Sequence, residues 1–181
     1  MYKRQPWDRH QANYGTLEYV DYFYKQLNEL LTNYGDVFEI WFDGANGGDG
    51  WYGGAKDVRT IDRKTYYDYP RAYKMIDELQ PQAVIFSDGG PGCRWVGNES
   101  GFAGATNWSF LRAGEGYPGY PKYRELQYGH ADGNQWVAAE CDVSIRPGWF
   151  YHPEEDDKVK TVDQLTDLYY RCLLYTSPSP R

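Results

Sequence analysis

Cysteine, histidine and methionine are scarce, at three, three and two among 181 residues. Cys93, Cys141 and Cys172 are odd in number and widely spaced, which excludes a disulfide framework and the paired-ligand spacing of a zinc module. His10, His130 and His152 stand singly, so no metal site is expected. No basic cluster is present and the net charge is −7, which argues against a nucleic-acid surface. No apolar run is long enough to span a membrane, and nothing at the start reads as a signal peptide. The glycines match neither a Walker loop nor G-x-G-x-x-G directly before a helix, so no nucleotide or other cofactor is expected.

What is present is a globular composition: 41% hydrophobic and 25% charged residues, in a length that supports one domain with a real core. Aromatics are the excess, at 18%, with 7 Trp and 19 Tyr. Rings with a polar edge suit carbohydrate, whose C–H faces stack on them while its hydroxyls find hydrogen bonds. An aromatic-rich core accounts for the same composition.

Residues 37–42 (V-F-E-I-W-F) make a buried strand that stops at Asp43-Gly44. The glycines behind it continue neither strand nor helix, which puts Asp43 at a strand's carboxyl end, where α/β folds place ligands and chemistry. An Asx-turn residue closing the strand is the other reading. Before this strand, Thr16 caps an amphipathic helix through Leu17, Val20, Phe23, Tyr24, Leu27, Leu30, Leu31 and Tyr34, and Gly35 ends it in a left-handed conformation. After the strand, residues 44–63 read as a glycine-rich aromatic loop, in which Trp51 and Tyr52 are read first as packing residues and only second as sugar contacts. Asp43, Asn46 and Asp49 lack the spacing of a calcium loop.

The grammar then repeats. A helix over 66–80, with Tyr69, Tyr73, Ile76 and Leu79 inward and Pro70 in its first turn, leads to a strand over 83–86 and to Asp88. Residues 89–135 carry no periodic segment and read as a long functional loop that includes Trp108. Residues 136–145 read as a third strand, with Glu140 and Asp142 on one face. A rim loop follows with Trp149, Phe150 and Tyr151 adjacent. Thr161-x-x-Gln164 matches a capping box opening a last helix.

Carboxylates at strand ends, aromatics around them and one well-placed arginine are the parts of a glycoside hydrolase that works with two acids. One must be ionised to attack the anomeric carbon, and the other must hold a proton for the leaving oxygen. Three segments make this more specific: L-T-N-Y-G-D-V-F-E-I-W-F-D-G-A-N-G at 31–47, A-V-I-F-S-D-G-G-P-G-C-R-W-V-G-N-E at 83–99 and A-E-C-D-V-S-I-R-P-G-W-F-Y-H at 139–152. In that order they resemble the α-L-fucosidases of glycoside hydrolase family 29, as does P-W-D-R-H at 6–10. The resemblance implies an α/β fold of (β/α)8-like barrel type and retaining hydrolysis of α-L-fucosides through a covalent fucosyl-enzyme. It also implies fucosylated glycans as substrate and a secreted or periplasmic location. By position, Asp43 matches the nucleophile, and Glu99 the acid/base of the subfamily preferring α-1,3/1,4-linked fucose. Trp41, Arg94, Trp149 and Glu140 match substrate-binding positions, and Glu140 is the second candidate for acid/base. A carbohydrate-binding protein of the same fold without catalysis is the competing reading.

The sequence also departs from that family. Three strands are evident where the barrel needs about eight, and the paired histidines of the family's early strands have no counterpart. The expectation is therefore a partial catalytic domain over 6–172, with non-native residues at 1–5 and 173–181, inactive by itself and prone to aggregate through open strand edges.

Overall fold

The side-chain oxygen of Thr16 accepts the amide hydrogen of Tyr19 at 3.4 Å, which starts the first helix as expected of an N-cap. Helix α1 (Leu17–Asn33) turns Tyr19, Val20, Phe23, Tyr24, Leu27 and Leu31 inward at three-to-four spacing. Gly35 follows at φ +81°, a left-handed conformation that a β-carbon resists. The computed structural model describes residues 2–4, 10–44, 48–102 and 110–176. It divides the chain into two compact units, Met1–Ser87 with Tyr117–Tyr120, and Asp88–Gly116 with Pro121–Arg181.

In the first unit, β1 (Tyr2–Arg4) pairs in parallel with β2 (Glu39–Phe42). β3 (Gly50–Tyr52) and β4 (Asp57–Arg59) form an antiparallel hairpin. Helix α2 (Tyr69–Leu79) leads to β5 (Val84–Ser87), which pairs in parallel with β2. Ile40 and Phe42 face a cluster with Phe23, Leu27, Tyr67, Tyr69, Ala72 and Ile76. A buried glutamine sets where β2 begins. The Gln80 amide donates to the carbonyls of Leu31 and Gly35 at 2.7 and 3.2 Å, and its oxygen accepts the amide hydrogen of Val37 at 3.1 Å. These bonds tie the end of α1 to the strand it feeds.

In the second unit, β6 (Cys93–Trp95) pairs in parallel with β9 (Ala138–Glu140), and β7 (Phe110–Leu111) pairs antiparallel with β8 (Gln135–Trp136). Helices α3 (Tyr123–Tyr128) and α4 (Val162–Thr176) and a 3-10 turn (Pro153–Lys158) complete it. The capping box at α4 is present. The Thr161 amide donates to Gln164 Oε1 at 2.8 Å, and the Gln164 amide to Thr161 Oγ1 at 3.2 Å.

Several expectations need correction. The loop over 44–63 contains the β3–β4 hairpin, turned by residues 53–56 with Lys56 at φ +53°. The second helix begins at Tyr69, because Asp68 is left-handed at φ +51° and Pro70 sits in the first turn. Leu79 is 38% exposed rather than inward. The long loop over 89–135 contains β6, β7 and α3. The strand over 136–145 is broken: β8 and β9 flank Val137 and pair with different partners. The fold class is α/β with parallel pairing in each unit. Trp108, Asn46 and residues 6–9 lie outside the described residues.

Candidate functional site

In the first unit, Asp43 is the residue immediately after β2, half-buried, at that strand's carboxyl end. Trp41 stands opposite Phe86 in register, and their rings stack at 5.0 Å and 25°. Ile40 and Phe42 occupy the helix-facing side, so by alternation Trp41 lies on the other face of β2. Asp43 is two residues on, the spacing that places side chains on one face. Asp49 has a structural task, accepting the amide hydrogen of Ile61 at 2.8 Å. Tyr52 is wholly buried with its hydroxyl donated to the Gly48 carbonyl at 2.5 Å, whereas Trp51 is exposed.

Much of the aromatic excess is core here. The Tyr24 hydroxyl lies 2.8 and 2.6 Å from the carbonyls of Tyr67 and Asp68, and Tyr66 donates to Thr16 O at 2.9 Å. Burial holds the Tyr24, Tyr66 and Tyr67 hydroxyls well above the ordinary tyrosine range, so they remain donors at any physiological pH.

In the second unit, Asp88 is buried. The register of β6 and β9 sets Cys93, Arg94 and Trp95 beside Ala138, Ala139 and Glu140. Cys93 Sγ donates to Glu140 Oε2 at 3.4 Å, and Trp95 Nε1 donates to Asp142 Oδ1 at 2.5 Å. The two acids expected on one face are thus each held by a donor from β6, although the strand itself ends at Glu140. Cys93 and Trp95 escaped the sequence reading. Their alternate places in C-R-W, matching E-C-D, were the available signal.

Arg94 has no exposed surface. Its Nε donates to the Leu126 carbonyl at 3.1 Å and its Nη1 to the Val137 carbonyl at 3.4 Å. Desolvation pushes its guanidinium down to about 10, so it is charged at neutral pH. At least two of its five N–H donors are thereby engaged with carbonyls.

Glu99 is exposed, in a loop braced at several points. The Val96 amide donates to Glu140 O at 3.0 Å. Gly97 is left-handed at φ +84°, and a β-carbon there would lie 2.3 Å from the Tyr123 carbonyl oxygen. Asn98 Oδ1 accepts the Ser100 amide at 3.0 Å, and its Nδ2 donates to Phe102 O at 2.8 Å. Ser100 bridges to Val143. Trp149 lies on a second loop, and its Nε1 donates to Glu99 Oε2 at 3.1 Å. Fifty residues separate the two, and nothing in the sequence announces the bond.

A polar cluster joins Glu115, Glu125 and His130, with ligand-type atoms within 4.8 Å of one another. His130 Nδ1 accepts the Arg112 amide at 3.3 Å, which assigns the ring proton to Nε2, 3.0 Å from Glu125 Oε2. Lys122 pairs with Glu125 at 3.1 Å and Arg112 with Glu115 at 3.7 Å. With both ring nitrogens engaged and cations on the acids, the cluster is a hydrogen-bonded network rather than a metal cradle. Among the described residues, no helix is long and apolar enough to cross a membrane.

No family model matches the chain. Alpha-L-fucosidase 1 of Arabidopsis thaliana is 46% identical over 169 residues, taking in 93% of this chain and 31% of that protein. Among solved structures, a glycoside hydrolase 29 family member from an unknown rumen bacterium matches with a TM-score of 0.84 at 51% identity, covering 97% of this chain and 31% of that one. A Ruminococcus gnavus GH29 fucosidase in complex with fucose matches with a TM-score of 0.68 at 26% identity, covering 96% and 38%. The chain therefore spans about a third of the length of these relatives. In sequence and in fold, it is similar to the α-L-fucosidases of glycoside hydrolase family 29.

Proposed function

We propose that this chain supplies catalytic residues for the hydrolysis of α-L-fucosidic bonds on fucosylated glycans. One observation carries the reading: Asp43 is the first residue beyond a buried parallel strand, two places from the stacked Trp41. The 46% identity to a fucosidase over 93% of the chain supports it.

In the proposed double displacement, the Asp43 carboxylate attacks the anomeric carbon of fucose. The bond from that carbon to the leaving oxygen breaks, and Glu99 gives its proton to the departing oxygen. Glu99, now a carboxylate, takes a proton from water. The water oxygen attacks the anomeric carbon and the ester bond to Asp43 breaks, releasing fucose with retained configuration. Trp41, Trp149 and Glu140 contact the sugar in this reading. Arg94 joins them in this reading, while its bonds to the Leu126 and Val137 carbonyls brace β6. The preferred linkage is α-1,3/1,4, the setting is a (β/α)8-like barrel, and the location is secreted or periplasmic. Residues 6–172 form the catalytic portion in this reading. Because the chain spans 31% of the fucosidase it resembles, we expect it to turn over little substrate alone.

The test compares wild type with Asp43→Ala on an aryl α-L-fucoside, in the 181-residue chain and in any longer product of its gene. Turnover should fall by at least about a thousandfold in the variant and recover in part with azide, giving a fucosyl azide. Near-normal turnover without Asp43 would overturn the assignment and favour sugar binding without catalysis. Robust turnover by the 181-residue chain would overturn its expected inactivity.

A further inference from the structure

We propose that Trp149 is a positioning residue for Glu99: its indole N–H holds one carboxyl oxygen and leaves the other to carry the catalytic proton. This rests on the reading of Glu99 as acid/base and deepens it. The geometry is the 3.1 Å bond from Trp149 Nε1 to Glu99 Oε2. Among the described residues, no other side chain bonds to this carboxylate.

Each loop is fixed independently of that bond. The Glu99 loop is held by Gly97, by the Asn98 turn and by the bridge to Val143. The Trp149 loop is held by Ser144, whose Oγ donates to Arg146 O at 2.5 Å, by the Lys160 amide on Ile145 O at 2.9 Å, and by Arg146 paired with Asp156 at 2.7 Å. Two braced loops that meet at one bond define the orientation of an otherwise exposed, freely rotating acid.

The choice of donor matters. A lysine or arginine in this place would add positive charge and favour the ionised carboxylate, opposing its work as an acid. An indole N–H is a donor with no charge and no accessible titration, so it fixes one carboxyl oxygen while favouring the ionised form less than a cation would. The same ring keeps about half its surface open to solvent, at 52% exposure. A sugar stacked on that open face would share one rigid group with the acid, which links occupancy of the site to the acid's aim.

The leaving group separates this role from simple packing. An activated fucoside such as 2-chloro-4-nitrophenyl departs without protonation, whereas a phenyl or sugar leaving group needs the acid. In the gene product that turns over aryl fucosides, Trp149→Phe keeps a ring and removes only the N–H. Whatever the ring change costs both substrates through the sugar contact, its kcat/KM should fall on the order of tenfold more for phenyl fucoside than for the activated one, consistent with loss of a general-acid contribution. Glu99→Gln should show the same selectivity more strongly, and the double variant should be no more selective than Glu99→Gln. Equal losses on both substrates in Trp149→Phe, beside a selective Glu99→Gln, would overturn the positioning role and leave Glu99 intact as the acid. An unselective Glu99→Gln would overturn both. Independently, the 15N-indole resonance that disappears in Trp149→Phe must move in Glu99→Gln, and an unmoved resonance overturns the bond itself.

Discussion

In the first unit the large side chains with least exposure are rings and aliphatics packed around α1, β2 and α2, whereas among the described residues of the second the largest wholly buried side chain is that of Arg94. Tyr14, Tyr19, Tyr24, Tyr52, Tyr67 and Tyr69 turn inward in the first unit. Trp149, Phe150 and Tyr151 stand 52%, 79% and 63% exposed in the second. One residue class does opposite work on the two sides. Tyrosine buries its ring and spends its hydroxyl on a carbonyl, which stabilises the region carrying Asp43. The exposed rings stabilise little by burial, and two of them meet polar partners instead: Tyr151 lies 4.7 Å under the Arg146 guanidinium and Trp149 donates to Glu99. The second unit instead draws order from directed bonds: Arg94 to carbonyls, Cys93 to Glu140, Trp95 to Asp142. Apolar burial tolerates small shifts, and a network of directed bonds does not.

The comparison is easiest to break at Phe23, which has no exposed surface and lies in the aromatic cluster. Phe23→Ala should cost about 3–5 kcal/mol in urea unfolding, by lost transfer energy and a residual cavity. A loss below about 1 kcal/mol would mean that the cluster does not carry stability. Next in size is Arg94. Arg94→Ala strands the Leu126 and Val137 carbonyls and leaves a void, at about 2–4 kcal/mol. Arg94→Met strands the same carbonyls but fills the space and removes a costly buried charge, so its loss should be about 1–2 kcal/mol. If the two variants are equally destabilised, packing is irrelevant at Arg94. The smallest effects belong to the caps. Thr16→Ala and Thr161→Ala should each lose about 1 kcal/mol. Faster hydrogen exchange should appear at the amides of Tyr19 and Gln164, their partners.

These two modes of order explain what was legible in the sequence. The first unit largely follows periodicity: α1 with its Thr16 cap and Gly35 exit, β2, β5 and the place of Asp43 follow from apolar spacing and punctuation, but β2 starts at Glu39 rather than Val37, with Phe38 65% exposed, and Leu17 and Tyr34 of the expected helical stripe face solvent. Strand β6 did not show, because three residues with a buried arginine in the middle carry no apolar signature. Helix α3 has six residues and one buried side chain, Leu126, too little for a period. The break between β8 and β9 follows from a change of partner at Val137, whose carbonyl accepts from Arg94. Long-range bonds such as Trp149 to Glu99 have no local cause at all, so only the fold reveals them.

Gly97 has a consequence for how this sequence can change over generations. Any side chain there would strike the Tyr123 carbonyl, at the start of the helix whose Leu126 carbonyl receives Arg94. A descendant that loses this glycine must first move α3, and moving α3 withdraws an acceptor from a buried charge. The smallest residue and one of the largest are thereby bound to one history. They should be lost together or kept together, and a lineage that has escaped the constraint would carry both changes at once.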